Sequence, residues 1–405
     1  MLFNLFLVCC YSVSKPQQME TEKMPALLFL TSLLTTIIFI VVLYPCAQKI
    51  GFLDKPNYRK HHQKPVPLIG GAAIYLAILF TLLVTDIQIF QQTGFIAAAT
   101  ILVLVGLLDD YREVAVKYRI LAQIVATLIM TEISEIKITG LGDLLGTGDI
   151  NLDAFSTAFT VFAVVGGINA FNMIDGIDGL SGSLALVSVI TIAILSWSLE
   201  NWLIYYYCLI LAATIIAFLL FNLRIFGRKS AAIFLGDTGS TLLGFSVCWL
   251  AIYASQGENA IITPTTVLWL IAIPLLDSVS VMCRRISKGR SPFYPDREHL
   301  HHLLALAGYK VNQKLIILVV FAVFFSGASI MAPVLLDVSE QASFISFLCL
   351  FAVYYWCTNK ACQMQKSSKT QTPCAESETE QIEKLEHIRL SFLDLKSAKS
   401  LSREP

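Results

Sequence analysis

The chain has 405 residues, 56% of them hydrophobic and only 14% charged, with 29 basic and 29 acidic side chains in balance. A soluble domain carries roughly 25% charge, so this composition excludes a water-soluble enzyme, a disordered chain and a collagen-like repeat. With no net positive field it also excludes a nucleic-acid-binding surface.

What remains is an all-α integral membrane protein. Residues 1–23 form an amino-terminal extension whose apolar run, Leu2 to Tyr11, is too short to span and has no basic residue before it, unlike a secretory signal. Met24 offers an alternative start of translation. Stretches free of Asp, Glu, Lys and Arg then run 24–48, 65–85, 87–108, 154–174, 179–199, 201–223, 238–257, 259–276, 315–336 and 341–359. Each reaches the ~18 residues that a hydrocarbon layer of roughly 30 Å demands of a helix. A shorter segment at 118–133 completes a count of about eleven spans. Counting it as a crossing puts eighteen basic residues in one set of loops, from Lys49 to Lys314, and only Lys137 in the other. The positive-inside bias therefore predicts a periplasmic amino terminus and a cytoplasmic carboxyl terminus. The multi-pass region occupies 24–357, and 358–405 is a polar cytoplasmic tail with amphipathic spacing over 376–395. The ten cysteines show no C-x-x-C pair and read as small buried hydrophobes.

Acids at span ends are costly unless they do something. Asp109 and Asp110 end the third span in GLLDDYRE, and Asp175 and Asp178 lie in NAFNMIDGIDGLSG. Asp237 opens the eighth span in FLGDTGSTLLG, Asp277 sits in IPLLDSVS, and Asp296 and Glu298 occur in SPFYPDREHLHH. Each has a bland reading as a water-boundary marker, a turn residue or a helix cap. Taken together, acids on separate spans at one face beside an Arg-His loop match a magnesium–diphosphate substrate. Magnesium takes one or two carboxylates and completes its shell with phosphate and water, while Arg, Lys or protonated His balances the remaining phosphate charge. Gly176, Gly179, Gly236 and Gly239 would let the backbone approach a ligand, and the helix amino termini after Asp178 and Asp237 would offer free N–H groups to phosphate.

These four motifs, with the first-loop segment DKPNYRKHHQKPVPLIGG, resemble the bacterial polyprenyl-phosphate N-acetylhexosamine-1-phosphate transferases over roughly residues 25–335. The resemblance is greatest to the branch that uses undecaprenyl phosphate and GlcNAc. It implies that UDP-N-acetylhexosamine and undecaprenyl phosphate give sugar-diphospho-undecaprenol and UMP, at the cytoplasmic face of the bacterial inner membrane, as a first step of O-antigen or common-antigen type synthesis. By motif, Asp237 would hold Mg2+, with Mn2+ a substitute. Phe234 would pack on the uracil and Asp175 contact the nucleoside. Asn172 and Asp178 would build the metal and phosphate pocket, and Asp109 and Asp110 would orient or deprotonate the lipid phosphate. Arg297, His299, His301 and His302 would hold the diphosphate, with Lys64 and Lys117 assisting. The implied partners are the UDP-sugar, undecaprenyl phosphate and the bilayer, with a homodimer an admissible assembly.

Three rivals are weaker. The phospho-MurNAc-pentapeptide transferase branch carries PTMGG and three successive histidines where this chain has VPLIGG and HLHH. Membrane prenyltransferases use two N/D-x-x-x-D motifs, whereas N-x-x-D-x-x-D occurs here once. An ion-coupled transporter would carry its acids near mid-membrane.

Overall fold

The computed structural model describes residues 15–54, 65–85, 92–258, 260–292 and 298–370. A helix lies at every predicted span: α1 Lys15–Ile50, α2 Gly70–Val84, α3 Gln92–Arg112, α4 Val116–Ile133, α5 Ser156–Ile174, α6 Leu180–Ser198, α7 Trp202–Asn222 and α8 Gly236–Ser255. The ninth predicted span is two helices, α9 Pro264–Leu270 and α10 Ala272–Ser287, and after the short α11 Leu300–Leu306 come α12 Val311–Leu336 and α13 Glu340–Thr370. Residues to Ala352 form one compact unit, and a second begins at Val353.

The chain is a multi-pass membrane protein. Among the described residues eight helices are long and apolar enough to cross a bilayer, nine if the bent pair is one span. The other two predicted spans coincide with α2, apolar but only 15 residues long, and α4, which carries Lys117, Arg119 and Glu132. The ninth span is not straight: α9 and α10 meet at 81°. The break frees the carbonyl of Leu270, and the Ser188 hydroxyl of α6 donates to it at 2.8 Å, a substitution that a lipid environment requires. Helix α1 begins before Met24, and α13 runs through the boundary expected at 357. The amphipathic stretch 376–395 lies outside the described residues.

Helix α8 is the hub, with Phe245 and Trp249 fully buried. Association in lipid depends on close packing of small residues, and the neighbours of α8 supply them. A Cβ added to Gly71 of α2 would lie 2.3 Å from the Gly239 nitrogen, and one on Gly106 of α3 would lie 2.5 Å from the Thr238 Cα. Bare backbone thus draws α2 and α3 onto the first turn of α8, which carries Asp237.

Two loops are fastened by side chains. Gln256 Oε1 accepts from the Thr139 and Gly140 amides, and Glu340 accepts from the Asp143 amide and the Thr265 hydroxyl. At the other end of the helices, strands β1 (Leu53–Asp54) and β2 (Val66–Pro67) pair antiparallel. The Phe234 amide donates to Pro67 at 2.8 Å, and Gly70 and Gly71 donate to Phe234 and Leu235. The first loop is therefore laced to the segment leading into α8.

Candidate active site

Three helix ends converge. Asp110, at the end of α3, accepts at Oδ1 from the Asp237 amide (2.8 Å) and at Oδ2 from the amide and hydroxyl of Thr238 (3.1 and 2.6 Å). A carboxylate from another helix thus caps α8, the favoured placement for negative charge. Gly236 makes room for it: its φ is +73°, and a Cβ there would meet Asp110 Oδ2 at 2.5 Å. From the end of α5, Asn172 donates to Asp237 Oδ1 at 2.6 Å and to Ser240 Oγ at 2.9 Å. Arg119 of α4 pairs with Asp109 Oδ2 at 2.7 Å and stands 3.7 Å from Asp237 Oδ2. The Asp237 side chain keeps 41% of its surface exposed. Its neighbour Asp109 is buried and also accepts from the Val114 amide.

Asp109, Arg119, Asn172 and Asp237 line an open cleft between α3, α4, α5 and α8, whose walls include Leu102, Gly106, Ala122 and Thr241. Asp175 follows α5 directly, partly buried, and accepts no hydrogen bond among the described residues. Burial first, then the charges of Asp237, Asp178 and Asp110, pushes its carboxyl up to about 8. Such a crowd of carboxylates calls for a cation. No three His, Cys, Asp or Glu side chains among the described residues form a metal cage. Asp237 and Asp175 still suit magnesium, which needs one or two carboxylates and otherwise prefers phosphate and water.

Several expectations require correction. Asp178 does not cap α6. Its Oδ2 accepts from Arg224 Nε at 2.7 Å and from the Ala231 amide at 3.2 Å, so it braces the loop before α8. Gly179, at φ +82°, is the cap residue, and its amide donates to Asn222 Oδ1 at 2.6 Å. The Asp237 and Thr238 amides of α8 are therefore not free for phosphate, because Asp110 already occupies them, and at α6 Asn222 takes the cap amide of Gly179. The four glycines serve contacts within the protein: Gly236 with Asp110, Gly239 with Gly71, Gly179 with Leu223 and Gly176 with His301.

The histidine loop reaches the same place through α10. Asp277, fully buried, accepts from the Leu300 amide at 2.9 Å and lies 2.8 Å from His299 Nδ1, fixing that ring. Arg284 Nη2 donates to the Glu298 carbonyl at 2.8 Å. His301 is 3% exposed, and neither of its ring nitrogens has a partner among the described residues. A Cβ on Gly176 would lie 2.2 Å from its Nε2, so the ring abuts the Asp175 loop. Burial above all, then the neighbouring His302, pushes its basicity down to about 3, with Asp277 opposing. His301 is thus neutral at pH 7, so any hold it has on a diphosphate would be through a ring N–H rather than through charge. His302 packs 4.2 Å from it, ring to ring.

Lys117 lies in the exposed first turn of α4, over the Tyr118 ring, while Arg119 reaches the carboxylates. Phe234 is held by its backbone beside Pro67 and Gly70. Lys64 and Arg297 lie outside the described residues. Two residues escaped the sequence reading of the site. Arg119 had counted only as a topology charge, and Asp277 was noted as an acid within a span without a role.

Comparison with known proteins gives a consistent picture. Residues 92–255 match the profile described as glycosyl transferase family 4. The chain is 37% identical over 336 residues to the undecaprenyl-phosphate alpha-N-acetylglucosaminyl 1-phosphate transferase of Escherichia coli K12, covering 83% of this chain and 91% of that one. It is 38% identical to the protein of the same name from Yersinia pestis, covering 87% and 94%. For that of Haemophilus influenzae the identity is 37%, covering 78% and 89%.

Proposed function

The chain belongs to glycosyl transferase family 4, and we propose that it transfers N-acetylhexosamine 1-phosphate, GlcNAc 1-phosphate foremost, from a UDP-sugar to undecaprenyl phosphate. The products are sugar-diphospho-undecaprenol and UMP, formed at the cytoplasmic face of the bacterial inner membrane. The observation that carries this reading is the meeting of Asp109, Asp110 and Asp237 from distant segments at one end of the bundle, with Asp237 steadied by Asn172 and left open beside Arg119. A lipid monophosphate anchored at the interface and a water-borne nucleotide can meet only at such a boundary.

In the reaction an oxygen of the acceptor phosphate attacks the sugar-bearing phosphorus, and the bond from that phosphorus to the bridging oxygen breaks, so UMP departs with the bridging oxygen. Phosphoryl transfer is mostly positioning and charge stabilisation. Asp237 and Asp175 would hold magnesium, which when bound neutralises phosphate charge. Asn172 aims Asp237, and Asp110 fixes the helix turn from which Asp237 projects. Arg119 offers its positive charge at the cleft, and His299, oriented by Asp277, lies in the loop that adjoins the Asp175 turn. Phe234 would stack on the uracil.

Asp109 is bound to Arg119 and to the Val114 amide, so both of its oxygens are engaged rather than held out as a general base. None is needed, because a phosphate monoester with its second pKa near 6 is mostly dianionic at pH 7. Direct attack therefore suits this site better than an aspartyl-phosphate intermediate.

The test is purified protein in nanodiscs with undecaprenyl phosphate, magnesium and a panel of UDP-sugars, following UMP. Release with UDP-GlcNAc and undecaprenyl phosphate together, and with neither alone, is expected. Pyrophosphate released from a prenyl diphosphate, or charge movement without turnover, would overturn the assignment.

A further inference from the structure

Below the carboxylates the cleft holds a polar pair with no part in the chemistry described so far. Gln123 lies four residues beyond Arg119 on α4, one turn or about 6 Å deeper at 1.5 Å per residue. Asn169 precedes Asn172 on α5 by three residues, and both side chains line the cleft. Asn169 Nδ2 donates to Gln123 Oε1 at 2.7 Å and to the Val165 carbonyl at 2.8 Å. Both Asn169 N–H groups are thereby committed, and the Gln123 oxygen is fixed as the acceptor. The two N–H groups of Gln123, a residue only 5% exposed, are left on the cleft side with no protein acceptor among the described residues.

An interhelical amide clamp accounts for the oxygen but not for the unused donors. Polar side chains paired across helices stabilise a membrane bundle modestly, and that pairing uses only the oxygen of Gln123, leaving its N–H groups for whatever enters the cleft. The cleft supplies the missing logic through its order with depth. Its mouth holds Asp109, Arg119 and Asp237, the Gln123 amide comes one turn down, and Leu102 and Val105 form an apolar wall beyond. Leu102 is seven residues from Asp109 on α3, about 10 Å along the helix. A prenyl monophosphate is an anionic head joined directly to hydrocarbon, and a guanidinium and neutral donors above an apolar wall complement it. A nucleotide sugar, polar along its whole length, does not match an apolar floor.

We infer that Gln123, held in register by Asn169, donates to a phosphate oxygen of the lipid acceptor and sets the depth at which that phosphate waits. This rests on the transferase reading for the identity of the acceptor. A carboxamide is suited to the position, because it supplies hydrogen bonds in a low-dielectric wall without adding a charge to be desolvated.

The experiment uses the full chain in nanodiscs and reads both direct binding of undecaprenyl phosphate without donor and steady-state UMP release. Gln123→Met keeps the volume and removes the donors. It should raise the Kd and KM for undecaprenyl phosphate about tenfold, the scale of a lost hydrogen bond to a charged group, with kcat and the KM for UDP-GlcNAc within about twofold. Gln123→Glu should weaken the acceptor further through repulsion, and Asn169→Ala should fall between wild type and Gln123→Met. If Gln123→Met does not yield folded protein, these two variants carry the test. A fall in kcat with unchanged acceptor binding, or a raised KM for the UDP-sugar, overturns the inference. If the wild-type protein releases no UMP from any UDP-sugar, the proposed reaction fails while the binding measurement still decides the role of Gln123.

Discussion

Asp110 and Asp237 stand 127 positions apart in the chain, yet the carboxylate of the first accepts the backbone amide of the second at 2.8 Å. One acid thus builds the platform on which the other works. Asp110→Ala removes the acceptor of two helix amides and a hydroxyl. The expected cost is about 1–3 kcal/mol, read as a lower midpoint of thermal unfolding in detergent, together with a loss of UMP release. Asp110→Asn should recover part of the stability, because its single carbonyl oxygen can still accept.

Asp237→Asn keeps the shape and removes the charge. Turnover should fall by at least about a hundredfold, the scale of losing one stabilising group in a charged transition state, while UDP-sugar binding measured by calorimetry survives in part. Near-normal activity in this variant would reject a metal-holding role for Asp237.

The raised carboxyl of Asp175 gives a pH signature. Its value of about 8 means that a cation must displace a proton at neutral pH. The magnesium concentration for half-maximal activity should therefore fall as pH rises from about 6.5 to about 8.5, and Asp175→Asn should flatten that dependence. Linkage runs the other way for stability without metal. A folded-state value above the ordinary carboxylate value means that stability declines as pH rises through this window, and magnesium should reverse the decline. Chelation with EDTA should abolish UMP release, and magnesium or manganese should restore it.

Arg119 lies between Asp109 and Asp237. Arg119→Ala leaves Asp109 buried without its partner, so both thermal stability and kcat should drop. Arg119→Lys should restore stability more than activity, since a point charge cannot reproduce the planar fork.

Hydropathy located the long apolar helices because the bilayer imposes one length and one polarity on any crossing. It did not show the bend at Ile271, where Pro274 has no N–H for the Leu270 carbonyl and the Ser188 hydroxyl, 82 positions away, donates to it instead. The acids at span ends were legible for a related reason, since charge at the edge of an apolar run stands out. Their division of labour was not, because Asp178 is set apart from Asp175 by Arg224 and the Ala231 amide, which the fold brings to it from more than forty positions away. Likewise His301 reads as a base until burial removes its charge. Gln123 and Asn169 are neutral and unremarkable in a sequence, and only their pairing across α4 and α5 gives them meaning.

The capping of α8 by Asp110 also bears on how substrates are admitted. The first amides of α8 are already occupied by the protein's own carboxylate. Among the described residues, a nucleotide diphosphate arriving there faces Asp109, Asp175 and Asp237 beside Arg119, so a counter-ion travelling with the nucleotide would ease its entry.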